Sequence, residues 1–432
     1  MPMSRADILD GFLDFLAKSP TPFHAVESLS HILRAKGFRE LRETDRWDLR
    51  AGERYFICRN GSSLIAFCAG RSPVEETGLR LVGAHTDSPC LKLKPRAELR
   101  RQGYLQVGLE VYGGALLNPW FDRDLSIAGR VSFATKSGLA HALIDFGDPV
   151  AVIPSLAIHL DREANSSRTV NAQNHLPAVL AMDASETRDL PSIILERLFA
   201  EHPQCGAERL LDFELSLYDT QPPRVVGLRG EFIAGARLDN LLSCYAGALA
   251  IAQADGDTGC VLVCNDHEEV GSVSAVGAQG PMLKSVLTRL LPDPEHRERA
   301  LAASLLISAD NAHAIHPNYA DKHDANHGPL INGGPVLKVN SNQRYATSSE
   351  TAAMFRWLCD LECVPVQSFS VRSDMRCGST IGPLTAASIG LRTLDVGVPT
   401  FAMHSLRELA GTEDLDSLVR VLARFYLQPR LP

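Results

Sequence analysis

Four apolar runs in this chain each end in a side chain able to bind a metal ion or move a proton. Leu81-Val82-Gly83-Ala84 delivers His85 and, two residues on, Asp87; Val261-Leu262-Val263-Cys264 leads through Asn265-Asp266-His267 to Glu268 and Glu269. Leu305-Leu306-Ile307-Ser308-Ala309 delivers Asp310, and Pro399-Thr400-Phe401-Ala402-Met403 delivers His404. Open parallel sheets build their sites at the carboxyl ends of strands, so these residues are expected to face one crevice. Asp239 precedes a helical pattern through Leu242, Tyr245 and Leu249, which puts its carboxylate at a helix N-terminus on the same crevice.

Such a set suits two divalent ions. A carboxylate shared between the ions offsets their repulsion and fixes their spacing, and Asp239 is the candidate bridge. Each ion then wants an imidazole and a further carboxylate, which His85 with Asp310, and Glu269 with His404, would supply. Three carboxylates and a hydroxide balance two dications. Glu268 is left over as a general base, and Asp87 is placed to orient the His85 ring. Taken singly, each residue has a plainer explanation: H-x-D decorates turns, a glutamate pair is solvated, and Asp239 caps a helix. Their joint placement at strand ends is what points to metal.

Other catalytic motifs are absent. His267-Glu268-Glu269-Val270-Gly271 begins like H-E-x-x-H, but Gly271 removes the second imidazole of a single-zinc site. Neither the G-x-S-x-G nucleophile elbow nor a phosphate-binding GxxxxGK[ST] loop occurs.

The elements that must carry these residues form an α/β pattern. Helical spacing at Ile8, Phe12, Phe15 and Leu16 breaks at Ser19-Pro20-Thr21-Pro22, and a second helix runs through Val26, Leu29 and Leu33. Short strands follow at 55–58, 64–68 and 79–84. From 93 to 234 the texture turns mostly β, which predicts an inserted domain inside a discontinuous one comprising 1–92 and 235–432. Beyond it, helices at 239–254, 281–291, 348–362, 380–390 and 414–427 alternate with strands at 259–264, 304–309, 367–371 and 392–396. That alternation predicts a mixed, largely parallel sheet flanked by helices.

With 432 residues, 45% of them hydrophobic, the chain can bury two cores. The net charge of −8 is spread without a basic stripe, which argues against nucleic acid or an anionic membrane as partner. The opening residues lack a secretory pattern and no apolar run is long enough to span a bilayer, so a cytoplasmic protein is expected. Ten cysteines include no C-x-x-C pair and suit buried thiols.

Six segments resemble the M18 aspartyl aminopeptidases: Ser19-Pro20-Thr21-Pro22-Phe23-His24, Ala84-His85-Thr86-Asp87-Ser88-Pro89, Ala236-Arg237-Leu238-Asp239-Asn240, Asp266 to Ser272, Ser308 to Tyr319, and Met403-His404-Ser405. The likeness runs from about residue 19 to about residue 410. It implies a zinc-exopeptidase-like fold interrupted by a dimerisation domain, and a tetrahedral dodecamer built from dimers with enclosed sites. It further implies His85, Asp239, Glu269, Asp310 and His404 as ligands of two divalent ions, most simply Zn2+ with Co2+ or Mn2+ as alternatives. Glu268 is then the base and Asp87 the supporting acid. His159, in Leu156-Ala157-Ile158-His159-Leu160, would reach a neighbouring subunit's substrate or its metal, although its apolar neighbours alone suggest a core histidine. His313, Lys338 and Tyr345 match substrate-contacting positions, with Arg344 as a further cation, unless Lys338 merely ends a strand in solvent. The expected reaction is removal of an N-terminal Asp or Glu from peptides by a metal-bridging hydroxide. Removal of a neutral residue, a deacylase or carboxypeptidase on the same core, and a non-catalytic assembly are the alternatives.

Overall fold

The computed structural model describes residues 3–182 and 188–431, so the expected outer limits 1 and 432 lie outside it. The chain divides into two compact units. One runs to Ser88, resumes over Pro223–Met403 and continues from Glu408; the other is Pro89–Pro222 with His404–Arg407.

The first unit is built on a nine-stranded sheet, in the order Arg39–Glu40, Arg54–Arg59, Ser63–Cys68, Gly259–Asn265, Leu79–His85, Leu305–Ala309, Arg392–Gly397, Val336–Lys338, Gln367–Phe369. Its centre is parallel: Gly259–Asn265, Leu79–His85, Leu305–Ala309 and Arg392–Gly397 all run one way. Every residue of Leu79–His85 and Gly259–Asn265 is buried, as a strand covered on both faces requires. The period of two sorts their side chains. Cys260, Leu262 and Cys264 join Phe12, Leu29, Leu242, Phe355 and Leu418 on one face, while Val261 and Val263 join Tyr55, Phe67, Leu283 and Val286 on the other. Toward the edges Ser63–Cys68 runs antiparallel to Gly259–Asn265, and Val336–Lys338 runs antiparallel to Arg392–Gly397 but parallel to Gln367–Phe369.

A second, five-stranded sheet in this unit orders Arg224–Val226, Phe232–Gly235, Glu408–Gly411, Pro399–Phe401 and Ala312–His313. Pro399–Phe401 and Glu408–Gly411 pair antiparallel, with Thr400 opposite Ala410. Residues 402–407 are therefore the loop between two paired strands. Its last four residues pack with the other unit: Leu406 enters that unit's core, and Leu116 N–H donates to His404 O at 3.0 Å.

The second unit holds a six-stranded antiparallel sheet ordered Gly138–Asp145, Leu125–Thr135, Arg209–Asp219, Cys90–Arg101, Tyr104–Tyr112, Ala178–Met182. Gln102 and Gly103, at φ 53° and 80°, make the two-residue turn between Arg101 and Tyr104, where glycine carries positive φ without strain. The unit's limits differ from 93–234. Cys90–Arg101 begins its sheet at the outset, whereas Arg224–Val226 and Phe232–Gly235 pair toward Glu408–Gly411 and so belong to the first unit. Helix Leu190–Glu201, with Ile194 and Leu198 buried, was hidden in a β-like stretch. Helix Pro294–Ala302 also escapes the periodicity, because only Ala300 and Leu301 are buried.

Asp414 fastens the start of helix Thr412–Tyr426 to a neighbouring loop, its carboxyl oxygens accepting from Asn332 N–H at 2.6 Å and Gly334 N–H at 2.8 Å. Burial outweighs those hydrogen bonds and pushes its pKa up to about 7. Between pH 4 and 7 the folded state therefore holds a proton that the unfolded chain releases, so stability falls as pH rises through that window and levels off above it. The effect is bounded at about 4 kcal/mol. Urea unfolding at pH 5 and pH 7.5 is expected to show this loss in the wild type and a smaller one in Asp414→Asn; equal losses would refute it.

Candidate metal centre

His85 closes strand Leu79–His85 and is 1% exposed. Its Nε2 lies 3.5 Å from Asp239 Oδ1 and 3.5 Å from Asp310 Oδ1, and its Nδ1 lies 3.0 Å from Asp87 O and 3.4 Å from Asp87 Oδ1. Asp310 leaves the neighbouring strand Leu305–Ala309, and Asp239 stands at the start of helix Leu238–Ile251, where its own φ and ψ are not helical. His85, Asp239 and Glu269 offer ligand atoms within 4.8 Å of one another.

The glutamate pair sits in a tight turn rather than on a helix. His267 at φ 64° and Gly271 at φ 96° bracket the single turn Glu268–Val270, and Ser272 N–H closes it onto His267 O at 2.7 Å. His267 Nδ1 lies 2.8 Å from Ser274 Oγ, so its ring stabilises the turn. Asp87, fully buried, accepts from Glu268 N–H at 3.1 Å through Oδ1 and from Glu269 N–H at 3.1 Å through Oδ2. One carboxylate thus orients the imidazole and both glutamate backbones. Only the first of these contacts could be read from the spacing of His85 and Asp87.

Burial alone would strip the proton from His85, yet its contacts with Asp239, Asp310 and Asp87, with Glu268 behind them, push its pKa well above the imidazole range. Five carboxyl groups converge on this one ring. The site demands positive charge, and hard oxygen donors beside an imidazole fit a divalent ion such as zinc. Glu268 is pushed up to about 7, chiefly by burial, with His85 opposing and Asp310, Asp87 and Asp239 adding to the rise.

The other expected site residues lie in different settings. Lys338 does not end in solvent: it is 2% exposed, with Nζ 3.3 Å from Asp310 Oδ2, 3.0 Å from Asn311 O and 5.2 Å from the centre of the Tyr345 ring. Tyr345 is buried against Phe369, whose ring also meets His313 edge-on with centres 5.8 Å apart. Arg344 points outward and donates to Cys377 O at 3.4 Å. His404 lies in the segment that packs with the second unit, its Nδ1 3.2 Å from Gly114 O. His159 is exposed, not a core histidine, because Leu156, Ile158 and Leu160 around it are 58%, 47% and 74% exposed themselves.

A largely parallel sheet with an imidazole and several acids gathered at its strand ends is the setting of a metal-dependent hydrolase. The family model described as aminopeptidase I zinc metalloprotease (M18) matches residues 15–426. The chain is 60% identical over 429 residues to a probable M18 family aminopeptidase 2 of Ectopseudomonas mendocina, covering 99% of this chain and 100% of that one. Among solved structures it resembles a chain of the Ape4 and Nbr1 complex, at TM-score 0.93 and 38% identity over 97% of this chain and 85% of that one. It also resembles the mApe1 dodecamer of S. cerevisiae, at TM-score 0.84 and 29% identity over 97% and 96%. The chain belongs to the M18 family of zinc metalloaminopeptidases.

Proposed function

We propose that the chain removes N-terminal Asp or Glu from peptides at a two-zinc centre held by His85, Asp239, Glu269, Asp310 and His404. The observation that carries this reading is the convergence of five carboxyl groups on buried His85. When bound, zinc supplies Lewis acidity and an acidified water. Glu268 takes a proton from the attacking water and returns it to the leaving amine. Asp87 keeps His85 and the Glu268-Glu269 backbone in register throughout. Lys338 carries its charge in a dry setting, where an anionic partner offsets the cost of burial. Asp310 is such a partner, and the side-chain carboxylate of an acidic N-terminal residue is chemically equivalent; Tyr345 and His313 would bound that pocket.

The exposed Leu156-Ala157-Ile158-His159-Leu160 segment supports assembly, since contiguous exposed apolar residues mark interaction sites. In this reading the second unit dimerises, His159 reaches a neighbouring subunit's substrate, and the assembly is a dodecamer as in the S. cerevisiae structure. Among the described residues the ten cysteines form no disulfide, which favours a reducing compartment and hence the cytoplasm.

The test is a panel of X-Ala-Ala peptides, free and N-blocked, with zinc, cobalt or manganese. Asp and Glu at X should be cleaved best, and only with a free amine. Lys338→Ala should lower kcat/KM for Asp-Ala-Ala by roughly 10–100-fold, the worth of a hydrogen bond to a charged group, while changing neutral X less than about threefold. Equal cleavage of blocked peptides, or acidic preference surviving that substitution, would overturn the reading.

A further inference from the structure

Glu408 is 1% exposed at the start of strand Glu408–Gly411, a place where a strand residue needs no charge. Burying a carboxyl group costs several kcal/mol unless hydrogen bonds answer it, so its presence there calls for a donor within its reach. The register supplies one. Glu408 lies opposite Gly235, the last residue of Phe232–Gly235, and beyond that glycine the chain reverses at Arg237, φ 61°. The Glu408 side chain extends past the end of the paired strands, and Oε2 accepts the Asp239 N–H at 3.0 Å. On the other side of the same residue, Ser88 Oγ donates to Asp239 O at 2.6 Å. One residue further on, Asn240 Nδ2 donates to Ala309 O at 2.8 Å.

Asp239 has non-helical backbone angles although it opens a helix, so the helical hydrogen-bond ladder does not fix its orientation. Side chains fix it instead, by gripping its N–H and its carbonyl. We infer that Glu408, with Ser88, is a positioning residue that sets the direction of the Asp239 carboxylate and thereby the zinc affinity of the centre. This rests on Asp239 being a metal ligand. The role is one of geometry: an oxygen acceptor at the right reach, not a negative charge.

Glu408→Gln, Glu408→Asp and Glu408→Ala separate these possibilities when zinc affinity is measured by competition with a chromophoric chelator, alongside the thermal midpoint of each metal-free protein. Gln keeps an oxygen at the same reach and should bind zinc within about threefold of wild type. Asp, shorter by one methylene, and Ala should each lose roughly 10–100-fold, the effect of removing a partner behind a metal ligand. Zinc affinity unchanged in Asp and Ala would overturn the inference, as would a Gln variant as weak as Ala, which would make the charge decisive. If Ala fails to fold, Asp carries the test. A wild type that binds no zinc would refute the metal-site reading itself, a different result from variants that bind as wild type does.

Discussion

Glu268→Gln is expected to lower kcat on an acidic X-Ala-Ala peptide by about 10²–10⁴-fold, the usual contribution of a positioned acid–base group, while zinc content stays at the wild-type level. Glutamine fills the same volume and preserves the backbone N–H through which Asp87 holds the turn, but it cannot accept and return a proton. Without metal, burial pushes the Glu268 pKa up to about 7, against the pull of His85 and with the push of Asp310, Asp87 and Asp239. Zinc content by elemental analysis and steady-state kinetics on the same sample decide the matter. A variant that keeps a tenth of its turnover, or that loses zinc, would sink the assignment of Glu268 as base and Glu269 as ligand.

Asp239→Asn should be as severe for a different reason. In the proposed two-zinc centre a neutral amide would not balance two dications, and the change leaves His85 Nε2 facing one charged oxygen where it now faces two at 3.5 Å. Zinc bound per subunit should fall, and kcat/KM should drop by about a thousandfold or more, because a metal ion is worth several kcal/mol to the transition state and each ~1.4 kcal/mol is tenfold in rate. Chelator treatment should inactivate the wild type to a similar degree. Added zinc should then restore the wild type but not the variant, and recovery of the variant at equal zinc would contradict a bridging role.

Much of the site was legible because it is local to strand ends. His85 and Asp310 follow buried apolar runs, and parallel pairing brings such ends side by side whatever the sequence distance between them. Asp239 was legible from the helix it opens. What could not be read is whatever depends on a partner far along the chain. Asp87 gives no sign that it also holds Glu268 and Glu269, about 180 residues away. Lys338 could end a strand in solvent by its local sequence, and its burial comes from pairing beside residues as distant as Phe369 and Asp395. For His159 the apolar neighbours alone suggest a core, yet those neighbours are exposed themselves. Nor does His404 differ in sequence from the other strand-end residues, although its contacts place it with the second unit.

That last placement has a practical side. An inserted domain is normally a cassette: cut at its two joints, close the gap, and the host survives. Joining Ser88 to Pro223 here would delete 89–222 and leave His404–Arg407 behind, four residues whose packing partners, Gly114, Leu116 and Gln221 among them, had gone with the excised piece. The remaining loop would still carry His404, but without the Gly114 carbonyl that lies 3.2 Å from its Nδ1. The two units therefore share custody of the chain at four crossings instead of two, and a trimmed enzyme made from the first unit alone would begin with one of its proposed ligands adrift.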